Sequence, residues 1–387
     1  MDDTVADLVE SYNAEAPLDR ASTPPAAWYT DPAIFALEGR TVFVNSWLVI
    51  GRGEQAREPG KYVISEIVGR PLAIVKGNDG RHRGFFNVCR HHAALVLTEH
   101  EGRAKNLCCP YHGWTYSLDG KLLSAPNCGE AGGMDLAAIG LVPVESGQWA
   151  GWLFVKIAAG PPVIADYFAE PLIARIDKLG LETMRWVERR SYTLNCNWKV
   201  FVDNYLDGGY HVPHIHRGLA SALKQNRYEV ETGERCCLQS CPIDEQAAEP
   251  QFRAVRKGAR AYYYWIYPNF MVNFYEGVMD TNIVLPLAVD RTQVVFDYYF
   301  SEVSEEAQAR NLASIAVSEE IQREDRAICE SVQRGLISGA FETGRLSALR
   351  EMGEHMFHRL LHADLRAGLN RGLQGGRGNR GTQNTVK

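Results

Sequence analysis

Short runs of apolar and β-branched residues alternate with turn-forming residues between positions 41 and 157. Such runs, when Gly, Asn, Asp and Pro bound them, are typical of β-strands. Turn formers such as Gly-Asn-Asp-Gly at 77–80 and Asp119-Gly120 favour tight connections between antiparallel neighbours. The pattern therefore predicts a small antiparallel β domain over residues 41–157, with strands expected at 41–50, 62–68, 71–76, 84–88 and 152–157.

The pattern changes after Gly160-Pro161-Pro162. Residues 258–300 alternate aromatic and β-branched side chains as strands do, whereas residues 304–340 repeat apolar residues with a helical period. Residues 158–365 are therefore predicted to form a second domain of the α+β class. Residues 1–40, which are punctuated by proline, are predicted to be an arm that packs on this second domain. The Gly-, Asn- and Arg-rich residues 366–387 are predicted to be a disordered tail.

Composition narrows the class of protein. The chain has 387 residues, 45% of them hydrophobic, and a net charge of −6 at pH 7. Net negative charge repels phosphate backbones and anionic lipid, so we expect no nucleic acid partner. No run approaches the roughly 18 apolar residues of a membrane span and no leader is apparent, so we expect a cytoplasmic protein without a membrane partner. Nine cysteines in a chain of this length favour reduced thiols or metal ligation over disulfides.

Two short motifs each combine a cysteine with a histidine, Cys89-Arg90-His91 and Cys109-Pro110-Tyr111-His112. Two thiolates and two imidazoles suit either tetrahedral zinc or a [2Fe-2S] cluster in which two histidines hold one iron. Structural zinc sites usually pair like ligands within one motif, whereas each motif here supplies one cysteine and one histidine. The arrangement therefore favours the cluster. Cys108 and His92 are adjacent candidates, but only Cys109 and His91 complete both spacings.

Three more histidines lie in the segment 197–216, NWKVFVDNYLDGGYHVPHIH. His211 and His216 are five positions apart, which on an uninterrupted helix would separate them by about 140° around the axis. Pro213 disfavours the α conformation of the residue before it, so we expect a bend that lets the two imidazoles converge on one metal ion. His214 could take the place of either ligand.

A carboxylate on a later helix, expected at 305–337, offers a third ligand. Its apolar stripe is predicted to contain Ile321, Ile328, Val332 and Leu336. Asp325 falls inside this stripe and Glu324 at its edge, and a buried carboxylate costs several kcal/mol unless it is paired or coordinated. An ion pair with Arg323 or Arg326 is one solution. With the two histidines, Asp325 would instead complete the two-histidine, one-carboxylate triad of non-haem Fe(II) oxygenases.

The order of these motifs resembles the oxygenase component of the Rieske non-haem iron ring-hydroxylating oxygenases over about residues 40–365. The resemblance rests on C-x-H, C-x-x-H, NWK, Y-H-x4-H and an aspartate in EDRAICESVQRGL. It implies an α+β fold with a small antiparallel β Rieske domain and a catalytic domain whose central antiparallel sheet is flanked by helices. It also implies a [2Fe-2S] cluster, a mononuclear Fe(II), O₂ as co-substrate and a small-molecule substrate.

The electrons must come from another protein. No G-x-G-x-x-G follows a strand, and Cys236, Cys237 and Cys241 do not complete a ferredoxin motif because Asp244 stands at the next position needed. We therefore expect NAD(P)H to act through a separate reductase or ferredoxin.

The resemblance further implies a homotrimer in which the cluster of one subunit works with the iron of the next. The acidic residue that bridges the two metals in this family usually lies three positions before the first iron-binding histidine, where this chain has Gly208. Asp207 is the nearest carboxylate and is expected to take this catalytic role, with Asp203 as the alternative.

Two longer strings, DNYLDGGYHVPHIHRGLASAL and YPNFMVNFYEGVMDTNIVLPL, are similar to the choline monooxygenase branch of the family. This similarity implies a monooxygenase that hydroxylates a carbon beside a quaternary ammonium group. Aromatic faces hold such groups, so Tyr264 and Phe274 are expected in the substrate pocket, with Glu276 as the counter-charge.

Two other functions remain open at this point. The same aromatic stretch would line the pocket of an aromatic ring-hydroxylating dioxygenase equally well. An electron carrier or a zinc-stabilised binding module would need only the first domain, so the second set of metal ligands argues against both.

Overall fold

The computed structural model describes residues 4–128, 138–244 and 246–377, with side chains described up to residue 370. Its contacts divide the chain into two compact units: residues 43–182, here called the β unit, and residues 1–42 together with 183–387, here called the mixed unit. The predicted boundary after residue 157 lies about 25 residues before the end of this unit. Residues 158–182 stay with the β unit because they pack on it, with the ring of Phe168 stacked 4.3 Å from that of Trp149.

Three helices begin the chain: α1 (Val5–Glu10), α2 (Ala27–Thr30) and α3 (Pro32–Asn45). Thr4 caps α1, because its hydroxyl accepts from the amide of Asp7 while its own amide donates to the Asp7 carboxylate. Residues 41–45 finish α3, so the first strand starts later than predicted. An apolar run of this length is compatible with either a helix or a strand, and the periodicity alone did not decide between them.

The described residues of the β unit form two antiparallel sheets. The larger has seven strands in the order β1-β10-β9-β4-β3-β2-β5, and the smaller has three in the order β6-β7-β8. The single α-helix between residues 158 and 182 is α4 (Ile164–Tyr167). The strands are β1 (Leu48–Arg52), β2 (Lys61–Ile67), β3 (Arg70–Lys76), β4 (His82–Phe86), β5 (Glu101–Arg103), β6 (Leu107–Cys108), β7 (Thr115–Tyr116), β8 (Leu122–Ser124), β9 (Pro143–Trp149) and β10 (Trp152–Lys156).

A second seven-stranded antiparallel sheet, in the order β11-β17-β16-β15-β14-β13-β12, forms the centre of the mixed unit. The predicted α+β class is thereby confirmed. The strands are β11 (Arg185–Leu194), β12 (Glu229–Thr232), β13 (Cys236–Pro242), β14 (Arg260–Ile266), β15 (Phe270–Tyr275), β16 (Val278–Ala288) and β17 (Arg291–Phe300). The later helices are α5 (Trp198–Leu206), α6 (Val212–Ile215), α7 (Arg217–Ser221), α8 (Pro250–Val255), α9 (Glu305–Ile337) and α10 (Met352–Arg377).

The register of this central sheet decides which side chains face the functional site. Gln239 on β13 is paired with Tyr263, Tyr263 with Asn273, and Asn273 with Asp280 on β16. Paired residues in adjacent strands point to the same face, so a row of polar side chains crosses four strands of the sheet.

Helix α9 begins at Ser304, whose hydroxyl accepts from the amide of Ala307. Its buried face is largely polar and contains Asn311, Ser314, Ser318, Gln322 and Gln333. The apolar stripe predicted for this helix is therefore displaced, and Val332 is 44% exposed. Hydrophobic periodicity misplaced the buried face because polar side chains on it have partners on other elements: Ser314 and Ser318 accept from Arg256, and Gln333 accepts from the amide of Asn197.

Residues 366–377, which were predicted to belong to a disordered tail, are helical and form the end of α10. Residues 378–387 of the predicted tail lie outside the described part of the chain. Gly368 allows this helix to approach α3 closely, because a Cβ at this position would overlap the Thr41 side chain. Arg366 adds an ion pair with Glu10, with Nε 2.8 Å from the carboxylate oxygen. None of the helices in the described residues is long and apolar enough to cross a membrane.

A fully buried ion pair fixes the start of α5. Lys199 Nζ lies 2.6 Å from Glu38 Oε1, and both side chains have no exposed surface. The Trp198 indole donates to the other oxygen of Glu38 at 2.8 Å. Burial lowers the pKa of Lys199, and the charge of Glu38 opposes that effect. Neither charge has access to water, so each depends on the other for its stabilisation.

Removing one partner of this ion pair should therefore lower the stability of the folded protein. We expect Glu38→Ala to lower the free energy of unfolding by about 3–5 kcal/mol, because it leaves an unpaired buried ammonium group. The matched control is Glu320→Ala, which breaks an exposed pair with Arg323 and should cost less than about 1 kcal/mol. Denaturant unfolding of the purified variants measures both, and equal effects of the two substitutions would contradict this account.

Candidate active site

Cys89 and Cys109 lie together in the core of the β unit, each at the start of a tight loop. The amide of Cys89 donates to Ala94 O at 2.8 Å, and that of Cys109 to Trp114 O at 2.8 Å. Both thiols are buried, and the Tyr116 hydroxyl lies 3.2 Å from Cys89 Sγ. Burial raises the pKa of Cys109, while amides in its own loop oppose the rise. Cys108 is exposed on β6, away from this thiol pair.

The imidazoles of His91 and His112 meet at the tips of the same two loops. Their ring centroids are 4.7 Å apart, and His91 stacks on Trp114 at 4.8 Å with nearly parallel planes. His92 joins them, and one nitrogen from each of the three rings lies within 4.8 Å of the others. Two buried thiols and paired exposed imidazoles fit the donor set of a [2Fe-2S] cluster with histidines on one iron. His92 lies in the same group, and only the C-x-H spacing favours His91 over His92 as the expected ligand.

A second group of metal-ligating side chains lies in the mixed unit. His211, His216 and Asp325 each place one ligand atom within 4.8 Å of the others. His216 Nε2 is 3.0 Å from Asp325 Oδ1, and His211 Nε2 is 3.9 Å from the same oxygen. The chain bends at His216, between α6 and α7, rather than before Pro213 as predicted. His214 is exposed and takes no part in this group.

The partners of Asp325 differ from the ion pair considered above. Asn204 on α5 donates to Asp325 Oδ1 at 2.8 Å. Arg323 instead binds Glu320, and Arg326 binds Glu330. The carboxylate therefore faces the two imidazoles with no arginine across from it.

A carboxylate stands behind each imidazole. His211 Nδ1 donates to Asp207 at 2.6 Å, and His216 Nδ1 donates to Glu324 at 2.7 Å. Burial lowers the pKa of His216, but hydrogen bonds and charges from Asp325 and Glu324 outweigh burial and leave it above the ordinary value. Such partners fix which nitrogen carries the proton and leave Nε2 of both rings free to bind a metal ion. The donor set fits a mononuclear iron site with two histidines and one carboxylate.

The sequence analysis gave Asp207 a catalytic role and gave Glu324 none. Asp207 contacts the His211 imidazole of the candidate iron site, whereas Asp203 binds the Tyr29 hydroxyl and His358 Nε2 instead. Glu324 was expected at the edge of α9 without a role. The hydrogen bond from His216 to Glu324 could not be read from periodicity, because it depends on how two distant segments meet.

A cavity of about 110 Å³ opens beside His211, His216 and Asp325. Its aromatic lining consists of Phe201, Tyr205, Tyr228, Tyr263, Tyr275 and Phe296. The hydroxyls of Tyr263 and Tyr275 lie 2.8 Å apart.

Two buried charges also line this cavity, Asp280 on β16 and Arg256 at the end of α8. Asp280 Oδ2 accepts from the amides of Asn273 and Asn282 at 2.7 and 3.1 Å. Burial raises the pKa of Asp280 above its ordinary value, and the amide of Asn273, the charge of Arg256 and the amide of Asn282 partly offset that rise.

The three substrate contacts expected from the sequence lie elsewhere. Tyr264 and Phe274 are buried but alternate with Tyr263, Asn273 and Tyr275, which face the cavity, so they point to the opposite side of the sheet. Glu276 is exposed at the turn after β15. Tyr264 and Phe274 are each one position away from residues that line the cavity, and the buried carboxylate in the lining is Asp280 rather than Glu276.

Comparison with known proteins identifies two protein families in the chain. Residues 46–143 match the family model for the Rieske [2Fe-2S] domain, and residues 181–366 match the catalytic domain of the ring hydroxylating alpha subunit. Choline monooxygenase, chloroplastic, of Arabidopsis thaliana is 38% identical over 372 residues, which cover 94% of this chain and 87% of that protein. The carnitine monooxygenase oxygenase subunit of Acinetobacter pittii (strain PHEA-2) is 29% identical over 366 residues, covering 89% and 95%.

A solved structure is also similar over nearly the whole chain. It is that of a quaternary ammonium Rieske monooxygenase, described as giving insights into carnitine oxidation and inter-subunit electron transfer. It has a TM-score of 0.80 and 26% sequence identity, covering 92% of this chain and 98% of that one. The chain is therefore an enzyme of the Rieske-type non-haem iron oxygenase family and belongs to the branch that contains the choline and carnitine monooxygenases.

Proposed function

We propose that this chain is a terminal oxygenase component that hydroxylates a small, choline-like quaternary ammonium compound. The observation that carries the proposal is the cavity beside His211, His216 and Asp325, where tyrosine rings and the buried carboxylate of Asp280 face one space. Aromatic faces and a carboxylate attract a cation that cannot lose its charge. The similarity to choline and carnitine monooxygenases supports the same substrate class.

The reaction replaces a C–H bond of the substrate by C–OH. One atom of O₂ enters the product, and the other leaves as water after uptake of two electrons and two protons. Iron at the two sites would supply stepwise electron transfer and O₂ activation. Cys89, His91, Cys109 and His112 would hold the cluster, and the side chains of His211, His216 and Asp325 would hold the single iron.

The chain's own residues hold these groups in position. Asp207 and Glu324 accept from the Nδ1 atoms of His211 and His216, which keeps both Nε2 atoms directed towards Asp325. Asn204 donates to Oδ1 of Asp325, the same oxygen that lies nearest to His216 Nε2. In the cavity, Asn273 and Asn282 orient the Asp280 carboxylate, which would attract the ammonium group.

The proposal includes a homotrimer supplied with electrons from NAD(P)H by a separate reductase or ferredoxin. In it, the cluster of one subunit would serve the iron of the next, with Asp207 as the carboxylate between them. Support comes from the hydrogen bond between Asp207 and His211 and from the inter-subunit electron transfer described for the similar Rieske monooxygenase.

Iron analysis tests the two metal sites separately. We expect three irons per chain in the purified protein, one after Cys109→Ser and two after Asp325→Ala, because each variant loses only the metal that its ligand holds. The visible absorption of the cluster should disappear in the first variant and survive in the second. Cys108→Ser is the matched control and should keep all three irons. Loss of the cluster in this control, with retention in Cys109→Ser, would move the ligand to Cys108.

The role of Asp207 is tested by removing its charge. Asp207→Asn should keep all three irons and slow electron transfer from a pre-reduced cluster by at least 100-fold, because a neutral amide no longer orients the imidazole in the same way. Stopped-flow absorption in a single turnover measures this rate. A wild-type rate in the variant would reject the role, and Asp203 would then be the carboxylate to test.

The substrate class is tested by comparing isosteres with and without the charge. With a compatible reductase, NADH and O₂, the protein should oxidise choline or a related trimethylammonium compound in preference to its carbon analogue, such as 3,3-dimethylbutanol. Asp280→Asn should reduce this preference about tenfold, equivalent to about 1.4 kcal/mol. Glu276→Gln, which alters an exposed carboxylate, should leave it unchanged. Coupled oxidation of naphthalene- or benzoate-like compounds with no turnover of any quaternary amine would instead support a ring-hydroxylating dioxygenase.

A further inference from the structure

A further group of metal-ligating side chains lies in the mixed unit, separate from the candidate iron ligands. Asp203 on α5 and the pair Glu354 and His358 on α10 each place one ligand atom within 4.8 Å of the others. Glu354 and His358 are four positions apart, so they share one face of α10. The side chain of His358 has no exposed surface, and those of Glu354 and Asp203 are 9% and 18% exposed.

The spacing within this group matches that of the candidate iron ligands. His358 Nε2 is 3.0 Å from Asp203 Oδ1 and 3.9 Å from Glu354 Oε1. The same two distances separate Asp325 Oδ1 from the two imidazoles of the candidate iron site. Ligand atoms that lie about 2.0–2.1 Å from a tetrahedral zinc ion are about 3.3–3.4 Å from one another. The two separations bracket this value, so small side-chain movements would place the three atoms around one ion.

Glu354 is a buried carboxylate without a hydrogen bond. Among the described residues, the closest polar contact of the carboxylate is His358 Nε2 at 3.9 Å, which is too long for a hydrogen bond. Burial raises the pKa of Glu354 well above its ordinary value, and the charges of Asp203, Glu351 and Asp207 raise it further. A carboxylate in this position is costly to the protein unless a cation binds it.

The group also lacks a basic side chain that could balance its charge. No lysine or arginine of the described residues forms an ion pair with Asp203 or Glu354. The charge of Lys199 acts on Asp203, but Lys199 is already paired with Glu38. Two carboxylates therefore share a largely buried space with one imidazole. A divalent cation bound by all three side chains would balance the two negative charges.

The surroundings of the group suit a bound metal ion. The Tyr29 hydroxyl donates to Asp203 Oδ2 at 2.7 Å, and the other oxygen, Oδ1, faces His358. Metal-ligating carboxylates usually have such a hydrogen bond from a neighbouring side chain. Asp203 and Glu354 also line a cavity of about 210 Å³, which gives an ion a way in and leaves space for a water ligand.

We propose that Asp203, Glu354 and His358 bind a zinc ion that holds α5 against α10. Zinc accepts both imidazole and carboxylate ligands, and three protein ligands with one water fill its usual four positions. The ion carries no electrons and is additional to the three irons expected per chain. The residue after Asp203 on α5, Asn204, donates to Asp325, so the zinc keeps this helix where the candidate iron ligand needs it. The inference does not depend on the proposed substrate.

Metal analysis of the purified holoenzyme is the first test. Wild type that has been dialysed against micromolar zinc sulfate and then desalted should contain about one zinc per chain besides its three irons. His358→Ala should contain three irons and almost no zinc, because it loses the imidazole ligand. His362→Ala is the matched control, since His362 is a buried histidine one turn further along α10, and should keep the zinc. A wild type without zinc, or equal zinc in wild type and His358→Ala, would overturn the inference.

Glu354→Gln gives a second readout if His358→Ala folds poorly, because the two side chains are nearly equal in size. With zinc bound, the substitution removes a ligand and should lower the midpoint of thermal unfolding by several degrees. Without an ion, it removes only a buried carboxylate that lacks a partner and should leave the midpoint unchanged or raise it. Zinc sulfate should raise the midpoint of wild type prepared without zinc, but not that of the variant. A variant midpoint equal to or above that of the wild type, or the same response of both proteins to zinc, would reject the zinc site.

Discussion

The buried pair of Lys199 and Glu38 fixes the start of α5, and the candidate iron site depends on where that helix lies. A helix of nine residues is not stable in isolation, so packing and buried contacts must hold it. Near the end of α5, Asn204 donates to Asp325, and Tyr205 beside it donates to Asn273 in the cavity wall. Just beyond the helix, Asp207 accepts from His211. One short helix thus distributes contacts to a metal ligand, the substrate cavity and the partner of a second ligand.

The chemistry of the site was predictable from sequence because metal ligands follow local spacing. C-x-H, C-x-x-H and Y-H-x4-H each place two side chains within a few residues, and the structure brings the corresponding side chains together. The wall of the cavity was not predictable in this way. Along a strand the facing alternates at every residue, so the aromatic stretch 262–275 could be placed on the site only after the pairing of Tyr263 with Asn273 was known.

Helices α9 and α10 show where a prediction based on hydrophobic patterning fails. On α9, the polar side chains of Ser314, Ser318 and Gln322 are buried. A prediction based on apolar residues alone would place these polar residues on the exposed side of the helix. In α10, Gly368 was taken as a sign of disorder but marks the close approach to Thr41. In both cases the residue type is explained by its contact with a neighbouring element, not by the needs of the helix that contains it.

Charge is distributed unevenly along the cavity. Asp207 contacts His211, Glu324 contacts His216 and Asp325 lies near both rings. This arrangement concentrates negative charge around the two imidazoles and favours a divalent metal ion there. Arg256 and Asp280 add one charge of each sign to the lining of the cavity.

The order of the two units along the chain has a consequence for synthesis. The first 42 residues belong to the mixed unit, yet their partners come much later: the amide of Thr23 binds Gly344 O, and Tyr29 binds His358. At about 5–20 residues per second, a ribosome needs roughly 15–60 s to make the intervening chain. The contiguous β unit can fold during that interval, whereas the N-terminal helices must wait. Their buried tryptophan and tyrosine side chains, Trp28 and Tyr29, are therefore open to chaperones, or to pairing with the wrong chain, until α10 leaves the ribosome.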